Sequence, residues 1–131
     1  MEMLREIDED YQITAPEDCL KYVEEFRNED REYLVVLGLD TRKKVTFRYI
    51  VSVGTLDASI SHPREIFKKA IINSSDMIIV VHNHPSGGID PSDEDIDMHR
   101  RIEECGKMLE IRLLDALIVT KGDIKSFKER L

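Results

Sequence analysis

The apolar run Met77–Val81 passes without a break into His82-Asn83-His84-Pro85-Ser86-Gly87-Gly88, and Ser92-Asp93-Glu94-Asp95 follows shortly after. A short, uncharged run that does not alternate reads as a strand covered on both faces. Pro85 blocks further ladder pairing and turns the chain away. Gly87 and Gly88 permit backbone angles closed to other residues. Ser92-x-x-Asp95 is a helix-start pattern in which the serine caps the N3 amide. A helix is therefore predicted from about Asp93 to Met108, with Ile96, Ile102, Cys105 and Leu109 as its apolar stripe and Gly106 marking the last turn. Ile111–Thr120 follows as another strand region. Strand, turn, helix and strand in succession require a sheet with at least one face covered by helix.

The rest of the chain extends this pattern. Residues 1–13 are polar and acidic and read as a loose lead-in. Thr14-Ala15-Pro16-Glu17 opens a helix, capped by Thr14, in which Leu20, Val23 and Phe26 recur at helical spacing. Glu32–Leu39 is a second apolar strand, and Asp40-Thr41-Arg42-Lys43 a hairpin turn. Val45–Val53 alternates, with Val45, Phe47, Tyr49 and Val51 on one side and Thr46, Arg48 and Ile50 on the other. After a loop from Gly54 to His62, Pro63 opens a helix with Ile66, Phe67, Ala70 and Ile71 on its apolar face, stopped by Asn73-Ser74-Ser75. Lys121-Gly122-Asp123 is a turn before a short final strand, Ile124–Lys128. The expected order is α-β-β-α-β-α-β-β, a mixed sheet flanked by helices in one α/β domain.

At 131 residues the chain is long enough for a proper core. The net charge of -8 argues against broad adhesion to nucleic acid. Arg42-Lys43-Lys44 is a local basic group but fits a solvated turn. The start of the chain is charged, without the apolar core of a signal peptide, and no run is long enough for a membrane span, so a cytoplasmic location and no membrane partner are expected. Cys19 and Cys105 are far apart and match no metal spacing.

Two of the four histidines stand at i and i+2 in the central stretch. On extended backbone such side chains share a face, so both imidazoles can reach one ion at roughly 2.0–2.1 Å. A catalytic zinc takes three protein ligands and leaves a position for water. Asp90, Asp93 and Asp95 are the nearby carboxylates. Asp95 is the best third ligand, because a side chain at N3 leans back toward the loop before the helix. Asp90, Asp93, Glu94 and Asp97 read as a solvated helix start favoured by the dipole. His62 reads as a loop or packing residue, and His99 as a partly buried mid-helix residue. Zinc hydrolysis also needs a carboxylate base outside the ligand set, which spacing alone does not choose.

His82-x-His84-Pro85 with Ser92-x-x-Asp95 resembles the JAMM motif of JAB/MPN-domain metalloproteases. His82-Asn83-His84-Pro85-Ser86-Gly87, Val53-Gly54-Thr55-Leu56-Asp57-Ala58-Ser59 with His62-Pro63-Arg64-Glu65, and the tail Ser126-Phe127-Lys128-Glu129-Arg130 resemble its RadC branch. The resemblance runs from about Thr14 to Leu131 and implies a cytidine-deaminase-like α/β sandwich. It implies zinc on His82, His84 and Asp95, an oxyanion-stabilising Ser92, and a base on the first core strand that maps onto Glu32. Glu65 is the other candidate base, although its place after Pro63 has a structural explanation. The chain departs from the family in two ways. Nothing resembles the N-terminal helix-hairpin-helix region that RadC-like chains generally carry, and Ala116 stands where the family usually has histidine.

The function this implies is a zinc-dependent hydrolase of peptide or isopeptide bonds acting on a peptide or protein substrate. The alternative is a DNA repair or recombination accessory domain without protease activity. Nucleic acid is not an expected partner of this domain alone, and a homodimer is left open. A zinc nucleobase deaminase needs His-x-Glu and Pro-Cys-x-x-Cys, and neither is present.

Overall fold

A computed structural model describes residues 8–54 and 63–128. Five strands form one mixed sheet: β1 (Tyr33–Leu39), β2 (Val45–Val53), β3 (Met77–Asn83), β4 (Arg112–Val119) and β5 (Ile124–Ser126). Their order is β2-β1-β3-β4-β5. β3 and β4 are parallel, and every other pairing is antiparallel. The helices are α1 (Leu20–Val23), α2 (Pro63–Ile72) and α3 (Asp93–Leu109). The expected order of elements holds, and the fold is α/β. α1 is one turn between two 3-10 segments, Pro16–Cys19 and Glu24–Asn28, so the first helix is more broken than its apolar spacing suggested. Its cap also differs: Asp18 reaches back to accept from the Thr14 and Ala15 amides at 2.8 and 2.9 Å.

The period-two rule sorts the core into two layers. Val35, Leu37, Leu39, Ile79 and Val81 pack with Cys19, Tyr22, Val23 and Phe26 on the α1 side. Leu34, Val36, Ile78 and Val80 pack with Ile66, Phe67, Met98 and Ile102 on the α2/α3 side. The strict alternation read for β2 is broken by a register shift opposite Gly38/Leu39. Leu39 pairs with Val45 and Gly38 with Phe47, so Thr46 is the extra residue. That bulge sends Val45 into the α1-side core while Phe47 and Tyr49 enter the other.

Several further expectations are corrected. The lead-in is not loose from Tyr11 onward: Ile13 is fully buried and its amide donates to the Lys43 carbonyl at 2.8 Å. Ile71 on α2 is 55% exposed. The buried stripe of α3 is Asp95, Met98, Ile102 and Gly106, whereas Leu109 is largely exposed.

Gly106 begins the last turn of α3, as expected, and the helix closes at Glu110 in the left-handed conformation with φ 58°. A Cβ at position 106 would stand 2.5 Å from the Ile111 carbonyl oxygen, where the chain enters β4. Alanine favours a helix over glycine by about 1 kcal/mol, but a backbone clash of this kind costs about 1–3 kcal/mol. Gly106→Ala is therefore expected to lower the urea midpoint without changing the denaturant slope.

His99 on α3 stacks on Phe127 with ring centroids 5.0 Å apart, and among the described residues its buried Nδ1 has no hydrogen-bond partner. Burial pushes its imidazole below the ordinary 6.5; Glu103 opposes the shift and Lys128 adds to it. With the folded value depressed, the unfolded chain binds the proton more readily. Stability from this residue is then full above 6.5 and is lost as pH falls toward the folded value. Urea midpoints at about pH 7.5 and about pH 5 should differ less in His99→Phe than in the unaltered chain.

Candidate metal centre

β3 carries two residues beyond its expected end, and these bring the site together. His82 pairs with Leu34 on β1 and with Ile118 on β4, which buries it to 2% exposure. It continues the face of Ile78 and Val80, toward α3. His84 leaves the strand, but its amide still donates to the Val119 carbonyl at 3.0 Å. Ser92 caps α3 as expected. Its hydroxyl accepts from the Asp95 amide at 3.1 Å, while the Asp95 carboxylate accepts from the Ser92 amide at 2.8 Å. The reciprocal pair fixes the Asp95 side chain against the loop.

Three ligand-type atoms converge as a result. His82 Nε2 is 3.1 Å from Asp95 Oδ1, His84 Nε2 is 3.1 Å from Asp95 Oδ2, and the two Nε2 atoms are 3.2 Å apart. Tetrahedral ligands at roughly 2.0–2.1 Å from an ion stand about 3.3 Å from one another, so the spacing fits a shared cation. His84 Nδ1 lies 2.8 Å from the Gly88 carbonyl oxygen, which assigns the ring proton to Nδ1. A neutral His84 then turns the bare lone pair of Nε2 toward a carboxylate oxygen. In that tautomer the Nε2 lone pair is available to a cation shared with that oxygen. Among the described residues, His82, His84 and Asp95 are a group that could hold a metal ion. Burial pushes the Asp95 carboxyl up, but the hydrogen bond and charge of His82 and the Ser92 contacts outweigh it and hold the group ionised, as a ligand must be.

The cluster opens on a cleft of about 300 Å³ lined by Glu32, His84, Ser86, Gly88, Asp90, Ser92 and Asp95. Glu32 sits just before β1, whose start lies beside the end of β3 because the two strands are antiparallel. A second depression of about 400 Å³, lined by Asp30, Arg31, Glu32, Gly54, Pro85 and Ser86, shares Glu32 and Ser86 with the first. Asp90 lines the cleft but its side chain is 94% exposed, 3.7 Å from Lys125. Asp93, Glu94 and Asp97 are exposed. Glu65 does not line either cavity. Ala116 is buried on β4 opposite Val80, and its neighbour Asp115 accepts from the amides of Ala116 and Lys128 and from the Ser126 hydroxyl. Arg42-Lys43-Lys44 is a turn held by the Asp40 side chain. His62 and the 55–59 stretch lie outside the described residues.

The sequence reading passed over the residue between the two histidines. Asn83 is 1% exposed and points away from their face. Its Oδ1 accepts from the Tyr33 amide at 2.6 Å and its Nδ2 donates to the Arg31 carbonyl at 2.8 Å. The signal was available: a polar side chain directed to the covered face of a buried strand must find partners there.

Among the described residues no helix is long and apolar enough to cross a membrane. UPF0758 proteins are close relatives. One from Geobacillus kaustophilus is 48% identical over 121 residues, covering 92% of this chain and 54% of the relative. Another, from Clostridium tetani, is 49% identical over 123 residues, covering 93% of this chain and 54% of the relative. A third, from Bacillus cereus, is 44% identical over 121 residues, with 92% and 54% covered. The chain thus spans about half the length of the curated relatives it matches. A family profile described as RadC-like JAB domain matches residues 13–131. By that match and these identities, the chain belongs to the RadC-like JAB domain family.

Proposed function

We propose that this chain is a single JAMM-type domain that binds one zinc ion through His82, His84 and Asp95 and hydrolyses peptide or isopeptide bonds of a protein substrate. The observation that carries this reading is the convergence of three ligand atoms at 3.1–3.2 Å on an open cleft that also holds a carboxylate. Bound zinc would supply Lewis acidity, lowering the pKa of a water toward about 7 and polarising the scissile carbonyl. Glu32, outside the ligand set and lining the same cleft, accepts the proton of the attacking water and returns it to the leaving amine. Ser92 is exposed, and its oxygen already accepts from the Asp95 amide. Its hydroxyl hydrogen is left to donate to the developing oxyanion.

A chelator should abolish turnover of a quenched-fluorescent peptide pool, and added zinc should restore it. Turnover that survives complete metal removal would sink this reading. A DNA repair accessory role gains no support from a net charge of -8; a salt-dependent gel shift with duplex DNA would revive it.

A further inference from the structure

Asn83 is buried where the sheet begins to fray. The β1–β3 ladder ends at the pair Leu34–His82. One residue further, backbone pairing is replaced by a side chain: the Asn83 carboxamide takes the Tyr33 amide on Oδ1 and gives an Nδ2 hydrogen to the Arg31 carbonyl. These are the two residues on either side of Glu32. On the β2 side, the Glu32 carbonyl accepts from the Gly54 amide at 2.8 Å. The backbone of Glu32 is thereby fixed from both neighbouring strands. The same residue lies between two histidines whose side chains leave β3 on the opposite face. Metal cluster and glutamate are thus tied to one three-residue segment, although Tyr33 and Asn83 are 50 positions apart in the chain.

We propose that Asn83 is the positioning residue for Glu32, clamping the two peptides that flank it and so setting the place of its carboxylate in the cleft. This rests on the reading of Glu32 as the base. A buried carboxamide whose donor and acceptor are both used is costly to replace, since alanine leaves a backbone N–H and a C=O without partners. The consequence for catalysis is geometric: a displacement of about 1 Å at a catalytic group costs on the order of 100-fold in rate.

The first readout needs no metal. In metal-free protein, Asn83→Ala should speed hydrogen exchange at the Tyr33 amide by about tenfold, the loss of one hydrogen bond, while amides in the middle of β3 keep their protection. In zinc-loaded protein, Asn83→Ala should lower kcat on the peptide pool by about 10- to 100-fold with KM and zinc content unchanged. In a Glu32→Gln background the same substitution should cost nothing further, because it acts through that carboxylate. An equal loss in both backgrounds, or a Tyr33 amide that exchanges as in the unaltered chain, overturns the proposal. Should alanine prevent folding, Asn83→Asp assayed with the carboxylate ionised, at about pH 8, keeps an acceptor for Tyr33 and replaces the donor to Arg31 with an oxygen that repels that carbonyl. It should leave Tyr33 protected and still reduce kcat; an unchanged kcat overturns the clamp. Failure of the underlying reading looks different: Glu32→Gln, with Asn83 intact, would then turn over the pool at the full rate. That result removes the base and with it any positioning role for Asn83.

Discussion

Reconstituted protein should contain one zinc per chain, and His84→Ala should contain none. His84 supplies one of three converging atoms, and its ring is already oriented by the Gly88 carbonyl. Two ligands, His82 and Asp95, remain in the variant, but a chelate of two holds zinc far more weakly than one of three. The effect on stability follows from linkage. Zinc at 100 times its dissociation constant stabilises the native state by about 2.7 kcal/mol, so the thermal midpoint of the unaltered protein should rise on adding zinc and that of His84→Ala should not. The variant itself should fold, because His84 stands just past the end of β3 and its backbone amide keeps its bond to the Val119 carbonyl. A well-folded, reconstituted wild type without metal would count decisively against a metal centre here.

Glu32→Gln should keep its zinc and lose its hydrolysis. Glutamine preserves the length and shape of the side chain but has no carboxylate to accept a proton. General acid–base catalysis by one positioned group contributes about 10²–10⁴-fold, and a loss of that size in kcat with little change in KM is the expected result. Zinc content is the control that separates this variant from His84→Ala. Glu32 is not one of the three converging atoms, so metal lost along with activity would mean that Glu32 serves the cluster rather than the water. Glu65→Gln provides the comparison. It opens α2 and lines neither cavity, and its rate should be that of the unaltered protein.

The central stretch could be read closely from the sequence because its signals are local. A capped helix start, a proline that ends a ladder and two histidines at i and i+2 each report geometry within a few residues. The His82–His84–Asp95 cluster required no span longer than that from His82 to Asp95. Glu32 was reached only through family resemblance, because nothing in its neighbourhood says that β1 will lie antiparallel beside β3. Asn83 was missed for a related reason: its partners, Arg31 and Tyr33, are distant in sequence and are backbone atoms that carry no residue signature. The bulge at Thr46 was likewise invisible, since Val45 and Phe47 are both apolar and either face would accept them. The apolar stripe of α3 was displaced because Asp95 and Gly106, polar and small, occupy buried positions that a hydrophobic count passes over.

The two parts of the site differ in how far along the chain they must be gathered. The three converging atoms close a short loop between the end of β3 and the first turn of α3, and they can assemble as soon as that one corner forms. The carboxylate arrives only when a segment 50 residues earlier has docked edge to edge. Inherited change therefore acts on the two separately. On the proposed function, a single altered codon just before β1 would leave the three ligands and remove the base, a route from a hydrolase to a binding module on an unchanged scaffold. The way back would be as short, because the bonds from Asn83 and Gly54 go to backbone atoms of residues 31–33, which a change of side chain at 32 leaves in place.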